Sequence, residues 1–269
     1  CAVDSQSGAR GSRGLSRAGT FSKGLVFLDS PIAFLIASAM KLTSEWAVDQ
    51  EVQMMKEEFE EVLKLRIIPV VTIHDAENTE PLADALLEGG LPCAEITFRT
   101  DAAAEAIERI AKKAGMLVGA GTVLKIEQAK QALDCGACFI VSPGFNPKVV
   151  QFCLENGIPV TPGISTPTDI EGALDFGLEI VKFFPAEAFG GVKTLKAISA
   201  PYGMIKFIPT GGIGPHNVLD YLALPQVPAC GGSWMVKSDL IAGKNFSEIG
   251  RLTREAVSLV VKVGKAPSS

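Results

Sequence analysis

Residues 159–185 read PVTPGISTPTDIEGALDFGLEIVKFFP, which forms one complete unit of strand, helix and strand. Short apolar runs at 159–164 and 179–185 predict strands, and the amphipathic stretch 168–176 between them predicts a helix. The connecting segments are short, as they are in units that build parallel sheets. This stretch therefore predicts an α/β protein.

The same alternation of strand and helix runs along the chain from residue 67. Apolar runs with midpoints roughly 20 to 26 residues apart predict eight strands, at 67–73, 93–98, 117–123, 138–143, 159–164, 179–185, 206–210 and 229–235. Amphipathic stretches predict helices at 79–87, 102–113, 126–133, 147–155, 168–176, 192–198, 217–222 and 246–263. Eight such units favour a closed (β/α)8 TIM barrel. The competing fold, an open doubly wound sheet, would carry a G-x-G-x-x-G after its first strand, and none stands there.

The first 43 residues differ in composition from the rest of the chain. Residues 1–23 carry four basic side chains against one acidic one, and five serines, a composition typical of an organelle transit peptide. The apolar stretch 24–40 resembles the core of a signal peptide, although a charge and a proline interrupt it. We interpret 1–43 as a leader that is either disordered or targeting. The expected location is the cytoplasm or, for a transit peptide, a plastid or mitochondrion.

The remaining residues, 44–269, are interpreted as the barrel together with an N-terminal helix over 44–65. Apolar residues recur in that helix at steps of three and four, which gives one apolar stripe that needs a partner. Its glutamates occupy the opposite face and are most simply explained as a solvated surface.

The composition of the 269 residues excludes several functional classes. Apolar residues make up 47% and charged residues 20%, which fits a globular core and argues against a disordered chain. A net charge of −5 gives no basic excess for nucleic acid, and the apolar stretch near the start is too short and broken for a good membrane span. With only His74 and His216, far apart, the sequence argues against a His-rich metal site. Six irregularly spaced cysteines favour free buried thiols over a disulfide framework.

Charged side chains in the second predicted strand point to chemistry inside the barrel. Because side chains alternate faces along a strand, Glu95, Thr97 and Arg99 share one face, and the apolar residues between them face the helices. A carboxylate in the barrel interior is costly unless it is paired or used. We favour a function for Glu95 over the alternative, an ion pair with Arg99 or a lysine that only closes the barrel.

The sixth predicted strand carries a lysine, Lys182, within an apolar run, EIVKFFPAE over 179–187. Lysine is rarely buried unless paired, and an apolar pocket favours the neutral amine, which is a nucleophile. A neutral amine beside a carboxylate is what Schiff-base chemistry on a ketone requires. The alternative is a lysine at the edge of the strand whose ammonium reaches solvent. The presence of Glu95 in the same interior favours the functional interpretation.

Glycine pairs accompany the last two predicted strands, Gly211-Gly212 after the seventh and Gly231-Gly232 in the eighth. Phosphate-binding barrels hold the phosphoryl group beside these two strands, where exposed backbone N–H groups favour an anion. Tight turns and close packing are the alternative explanation. Two pairs at the two expected strands favour a phosphate site.

Seven motifs, in this order along the chain, resemble those of a known family. They are Glu95-Ile-Thr-Phe-Arg99, Gly119-Ala-Gly-Thr122, Ser142-Pro-Gly144, Pro162-Gly-Ile-Ser165, Lys182-Phe-Phe-Pro-Ala-Glu187, Pro209-Thr-Gly-Gly212 and Gly231-Gly-Ser233. The family is that of 2-dehydro-3-deoxy-phosphogluconate (KDPG) aldolase, also named for 4-hydroxy-2-oxoglutarate aldolase activity. The resemblance covers nearly the whole predicted barrel, and the combination of KFFPAE with PTGG is specific.

The resemblance implies a class I aldolase without metal or other cofactor, on a (β/α)8 barrel that forms a homotrimer. Its substrate would be a phosphorylated 2-keto-3-deoxy sugar acid, cleaved to pyruvate and glyceraldehyde 3-phosphate. By the same resemblance Lys182 would form the Schiff base, and Glu95 would relay protons. Arg99 and Thr122 would hold the pyruvate carboxylate, and Phe184 would line the pocket. The residues expected at the distal phosphate are Thr210, Gly211, Gly212, Gly232 and Ser233.

Two departures from the family pattern concern the aldehyde side of the substrate. The end of strand one reads Thr72-Ile-His74 where some relatives carry Arg, and position 189 is Phe where relatives often have Asn. The sequence leaves 4-hydroxy-2-oxoglutarate and the galactonate-type phosphorylated acid open as substrates. A phosphate-binding barrel without Schiff-base chemistry and a non-catalytic sugar-phosphate binder are the rival classes.

Overall fold

The computed structural model describes residue 50 and residues 52–261. The predicted leader, 1–43, and the start of the predicted helix over 44–65 lie outside the described residues. The described part of that helix, α1, runs over 52–64. In its apolar stripe Phe59 and Val62 are buried and Val52 and Met55 are half-buried, and Phe59 packs against Phe139 with ring centroids 5.2 Å apart. Since Phe139 lies in the fourth predicted strand, α1 covers part of the barrel.

All eight predicted strands are present, and they are parallel throughout. The fifth is divided in two at Pro162, because proline has no backbone N–H to donate to a neighbouring strand. The strands are β1 Ile67–Val71, β2 Cys93–Thr97, β3 Leu117–Gly121, β4 Phe139–Val141, β5 Val160–Thr161, β6 Gly163–Ile164, β7 Ile180–Phe183, β8 Lys206–Pro209 and β9 Cys230–Gly232.

The strands close into a barrel. Six of them pair in the order β5-β4-β3-β2-β1-β9, and three in the order β6-β7-β8. The chain itself joins β5 to β6 through Pro162, and a bridge between Thr210 and Gly231 joins the end of β8 to β9. The fold is therefore the predicted (β/α)8 barrel, and the carboxyl ends of its strands meet at one end, where such barrels hold their active sites.

Helices surround the strands close to the predicted positions. They are α2 Thr79–Glu88, α3 Ala103–Ala111, α4 Ile126–Asp134, α5 Pro147–Glu155, α6 Pro167–Asp175, α7 Gly191–Ser199, α8 Val218–Leu222, α9 Ser238–Ala242 and α10 Phe246–Val261. The sequence did not predict α9 or a short 3₁₀ helix at Ala76–Asn78. Both are too short to show a clear apolar period.

The cysteines in the described range are free thiols. Cys93, Cys138, Cys153 and Cys230 are buried and Cys135 is half-buried, whereas Cys1 lies outside the described residues. Burial raises the pKa of Cys138, Cys153 and Cys230 to about 12, so these thiols are neutral at physiological pH. They behave as small apolar side chains of the core.

Across residues 52–261, no helix is long and apolar enough to cross a membrane. The same part of the chain brings no three His, Cys, Asp or Glu side chains close enough to hold a metal ion. Both histidines are exposed.

Candidate active site

An interior ion pair joins opposite parts of the barrel. Lys182 of β7 donates from Nζ to Oε1 of Glu95 of β2 at 3.1 Å. Only 5% of Lys182 and 3% of Glu95 is exposed, so both charged groups lie in the barrel interior. Alternation predicted an inward side chain for Glu95, and the structure shows that Lys182 also faces inward and contacts it. Arg99, the other predicted partner of Glu95, makes a different contact.

Small residues make room for this pair. Gly163 pairs with Lys182 in the register between β6 and β7, and Gly119 pairs with Glu95 between β2 and β3. A Cβ atom on Gly121 would lie 2.2 Å from Oε1 of Glu95. Residue 121 must therefore be glycine for the Glu95 carboxylate to hold its present position.

An aromatic ring covers the amine. The Lys182 Nζ lies 5.4 Å from the ring centroid of Phe184, which follows it on the same face of the strand. This distance fits a cation–π contact for the protonated amine. Phe184 also lines the cavity described below.

Arg99 and Thr122 form a second polar pair at the ends of β2 and β3. Arg99 donates from Nε to Oγ1 of Thr122 at 3.2 Å. Thr122 has a left-handed backbone, with φ of 57°, which is unusual for a β-branched residue and often marks a functional position. Thr97, on the same face as Glu95, donates instead to the Val71 carbonyl at 2.8 Å and so holds neighbouring strands together.

A cavity of about 560 Å³ opens at the carboxyl ends of the strands. The predicted site residues that line it are Arg99, Phe184, Thr210, Gly211, Gly212, Gly232 and Ser233. Lys182, Glu95 and Thr122 are not part of this lining. The Lys182–Glu95 pair thus lies outside the cavity wall, whereas Arg99, Phe184 and the predicted phosphate loops form part of it.

The glycine pair after β8 has a left-handed backbone. Gly211 and Gly212 have φ angles of 99° and 79°, which L side chains rarely adopt. A Cβ on Gly231 would lie 2.4 Å from Oγ1 of Thr210, so the two loops touch. That hydroxyl is buried and has no hydrogen-bond partner within the part of the chain that the structure describes. An unpaired buried hydroxyl is costly, so a partner is expected at this position.

The cavity also contains residues that the sequence did not single out. Lys237 precedes α9, Ser238 and Asp239 begin it, and all three line the cavity. Phosphate-binding barrels often carry a short extra helix near the loops after the last two strands, and this general feature could have pointed to these residues. Of the two departures from the family pattern, Thr72 lines the cavity, whereas Phe189 is 46% exposed and lies outside its wall.

An amine and a carboxylate are paired inside a parallel barrel that has a cavity at the carboxyl ends of its strands. This arrangement is typical of an enzyme built on a (β/α)8 barrel. The comparisons give the family. The family model described as KDPG and KHG aldolase matches residues 59–252. The chain belongs to this family of aldolases, which are carbon–carbon lyases.

Relatives of known name agree with this assignment. The chain is 51% identical over 203 residues to the 2-dehydro-3-deoxy-phosphogluconate aldolase of Treponema pallidum, covering 75% of this chain and 97% of the relative. A crystal structure of the Zymomonas mobilis 2-keto-3-deoxy-6-phosphogluconate aldolase with 3-phosphoglycerate superposes with a TM-score of 0.71 at 38% identity, over 74% of this chain and 95% of that one.

A third relative was captured with a reaction intermediate. The KDPG aldolase of Legionella pneumophila, with pyruvate as a covalent carbinolamine intermediate, superposes with a TM-score of 0.70 at 38% identity. The alignment covers 72% of this chain and 95% of that one.

Proposed function

We propose that this chain cleaves 2-dehydro-3-deoxy-6-phosphogluconate to pyruvate and glyceraldehyde 3-phosphate, through a Schiff base on Lys182. The observation that carries the proposal is the buried pair of Lys182 and Glu95, whose Nζ and Oε1 atoms lie 3.1 Å apart inside the barrel. Family membership gives the reaction class, and the pair gives the groups that would perform it. The reaction is the aldol step of the Entner–Doudoroff pathway.

The pair supplies both a nucleophile and a proton carrier. Glu95 accepts the ammonium proton, and the neutral Lys182 amine attacks the ketone carbon C2. Glu95 gives that proton to the former carbonyl oxygen, takes a proton from the nitrogen and passes it to the departing hydroxyl, so the carbinolamine loses water, becomes an iminium and leaves Glu95 ionised. Glu95 then takes the proton of the C4 hydroxyl, the C3–C4 bond breaks, and its electrons move into the iminium to form an enamine. Glyceraldehyde 3-phosphate leaves, the enamine is protonated at C3, and water releases pyruvate.

The two ends of the substrate have separate anchors in this proposal. The C1 carboxylate lies against Arg99 and Thr122, which already contact each other at 3.2 Å. The distal phosphate lies against Thr210, Gly211 and the loop after β9, where backbone N–H groups and the free Thr210 hydroxyl bind it. The 3-phosphoglycerate in the Zymomonas relative and the pyruvate adduct in the Legionella relative support these two ends.

The first experiment traps the Schiff base. The protein is incubated with pyruvate and borohydride, and the modified peptide is mapped by mass spectrometry. We expect a stable adduct on Lys182, lost in Lys182→Met. Lys206→Met is the matched control, because Lys206 begins the neighbouring strand β8 and is exposed. No adduct on folded wild-type protein would contradict the proposal and favour a phosphate-binding barrel without Schiff-base chemistry.

The family's second named activity, on 4-hydroxy-2-oxoglutarate, is the alternative within the same chemistry. That substrate gives pyruvate and glyoxylate and has no phosphate. We expect Ser233→Ala to lower kcat/KM for the phosphorylated acid and to leave the value for 4-hydroxy-2-oxoglutarate nearly unchanged. Equal effects on both would favour the alternative. The galactonate-type acid is tested in the same assay, since it differs only at the C4 stereocentre.

The proposal extends to the oligomeric state of the protein and its location in the cell. The protein is a homotrimer, which light scattering on the purified chain tests directly. It acts in the cytoplasm or, where residues 1–43 are a transit peptide, in a plastid or mitochondrion. Fusion of residues 1–43 to a fluorescent reporter separates the two locations.

A further inference from the structure

The loop after β7 and the loop after β8 are joined by backbone hydrogen bonds. Ala186 donates from its backbone N–H to the Thr210 carbonyl at 2.8 Å, and Glu187 donates to the Gly211 carbonyl at 3.1 Å. The segment that follows the lysine strand is therefore attached to the segment with the glycine pair. Any shift of one loop is transmitted to the other.

A side-chain hydrogen bond fixes the same junction. The hydroxyl of Tyr221, in α8, donates to the Glu187 carboxylate. Tyr221 is fully buried, and its hydroxyl needs a partner there because an unpaired buried hydroxyl is costly. Burial, and then the hydrogen bond to Glu187, raises the pKa of Tyr221, so the phenol stays protonated and remains a donor at physiological pH.

The Glu187 side chain lies directly against the glycine pair. A Cβ on Gly212 would lie 2.6 Å from both Cβ and Cγ of Glu187. On the other side, a Cβ on Gly191 would lie 3.0 Å from Oε1 of Glu187 and 3.3 Å from the Tyr221 hydroxyl. Glycines on both sides let the carboxylate reach Tyr221 while its stem supports Gly212.

We propose that Glu187 and Tyr221 are positioning residues, which hold Gly211 and Gly212 in the conformation that receives the distal phosphate of the substrate. The inference rests on the proposed function and extends it to residues outside the cavity wall. It predicts that loss of this hydrogen bond weakens binding of the phosphorylated end. The Lys182–Glu95 pair, which neither residue touches, should react with pyruvate as before.

The test measures phosphate-end binding without turnover. Calorimetry with 3-phosphoglycerate is carried out on wild type, Tyr221→Phe, Glu187→Ala and Glu187→Gln. We expect the dissociation constant to rise about tenfold in Tyr221→Phe and Glu187→Ala, in line with the loss of one hydrogen bond to a charged group. Glu187→Gln should stay within about threefold of wild type, because the amide oxygen still accepts from the phenol. Since Glu187 is exposed, its variants test the proposal even if Tyr221→Phe folds poorly.

A second hydrogen bond of the same type serves as control. Tyr202 donates to the Glu171 carboxylate at 3.0 Å, between α6 and the segment after α7, and neither residue lines the cavity. Tyr202→Phe should leave the dissociation constant of 3-phosphoglycerate unchanged. The double variant Glu187→Ala/Tyr221→Phe should bind no more weakly than either single variant, since both remove one interaction.

Kinetic measurements separate positioning from general damage. KM for the phosphorylated acid should rise about tenfold in Glu187→Ala, whereas kcat/KM for 4-hydroxy-2-oxoglutarate and the rate of pyruvate trapping on Lys182 should not change. Equal losses on both substrates, or unchanged binding of 3-phosphoglycerate, would overturn the inference. Failure of wild type to cleave the phosphorylated acid would instead refute the proposed function. The calorimetric result would still decide the inference, and absence of 3-phosphoglycerate binding by wild type would overturn it.

Discussion

Gly121 of β3 and Glu95 of β2 lie so close that no side chain fits between them. A Cβ on residue 121 would approach Oε1 of Glu95 to 2.2 Å, Cγ to 2.7 Å and Cδ to 2.8 Å. Real Cβ atoms do not make such contacts, so a larger residue must displace the carboxylate. The glycine therefore fixes where the proton carrier of the proposed reaction lies.

Gly121→Ala is expected to abolish most of the activity without removing any reacting group. The added methyl pushes Glu95 away from Lys182, and loss of a positioned acid–base group costs about a hundredfold or more in kcat. The measurement is kcat on the phosphorylated acid, with the thermal unfolding temperature recorded alongside. Gly203→Ala is the control, because a Cβ there would meet nothing within 4 Å. A Gly121→Ala variant with kcat near wild type would show that Glu95 need not hold its present position.

The Lys182–Glu95 pair should make single substitutions destabilising and the double substitution milder. Lys182→Met leaves a buried carboxylate without its partner, and Glu95→Gln leaves a buried ammonium. Breaking a buried pair in this way costs about 3 to 5 kcal/mol. Lys182→Met/Glu95→Gln removes both charges and should recover much of that loss, although all three variants are expected to be inactive. Urea unfolding gives the free energies, and strictly additive losses would contradict the coupling.

Much of the fold could be predicted from sequence because each strand is a short apolar run between turn residues. The eight strands and most helices follow from this pattern. The fifth strand breaks at Pro162 because proline has no backbone N–H. The apolar run over 159–164 is continuous, so the sequence predicted one strand there. Helix α9, at Ser238–Ala242, was missed because it buries only Ile241, whereas the equally short α8 buries Val218, Tyr221 and Leu222 at helical spacing.

The sequence predicts which residues form the candidate site better than it predicts how they contact one another. Lys182 and Glu95 stood out as charges in apolar strands; alternation gave the face of Glu95, whereas the direction of Lys182 stayed open until the structure showed it buried. Their direct contact depends on barrel closure, which brings β2 and β7 within reach across the interior and which strand patterns do not encode. Tyr221 was not singled out because it lies in an apolar stretch typical of core, and only the structure shows that its hydroxyl binds Glu187.

Buried thiols should make the fold sensitive to alkaline pH. The pKa of Cys153 rises from 9.0 to about 12 on burial, so between these values the folded state keeps a proton that the unfolded state has lost. The unfolded state then binds fewer protons, and the free energy of unfolding falls by about 1.4 kcal/mol per pH unit for each such thiol. We expect Cys153→Ala to reduce this slope by about that amount above pH 9.

The control for this prediction is the half-buried Cys135, whose pKa is raised less far by burial. Cys135→Ala should change the alkaline slope less than Cys153→Ala does. Urea unfolding at intervals from pH 7 to 10.5 provides the slopes. Below pH 8 the thiols should not change the unfolding free energy of any variant with pH. Identical alkaline slopes for wild type and Cys153→Ala would show that the thiol ionises in the folded state too.

Gly163 should be more sensitive to substitution than Gly121, because its neighbour is backbone. A Cβ on Gly163 would lie 2.1 Å from the Pro143 carbonyl oxygen and 2.7 Å from the Gly144 nitrogen, and neither can rotate away. Gly163 also pairs with Lys182 in the barrel register, so a shift there moves the lysine strand. We expect Gly163→Ala to lower the free energy of unfolding by about 3 kcal/mol or more. Gly144→Ala, in the same loop but with nothing within 4 Å of its own Cβ, should change it by less than about 1 kcal/mol. Similar unfolding free energies for the two variants, measured in urea, would mean that the loop after β4 yields easily and does not hold β6 in place.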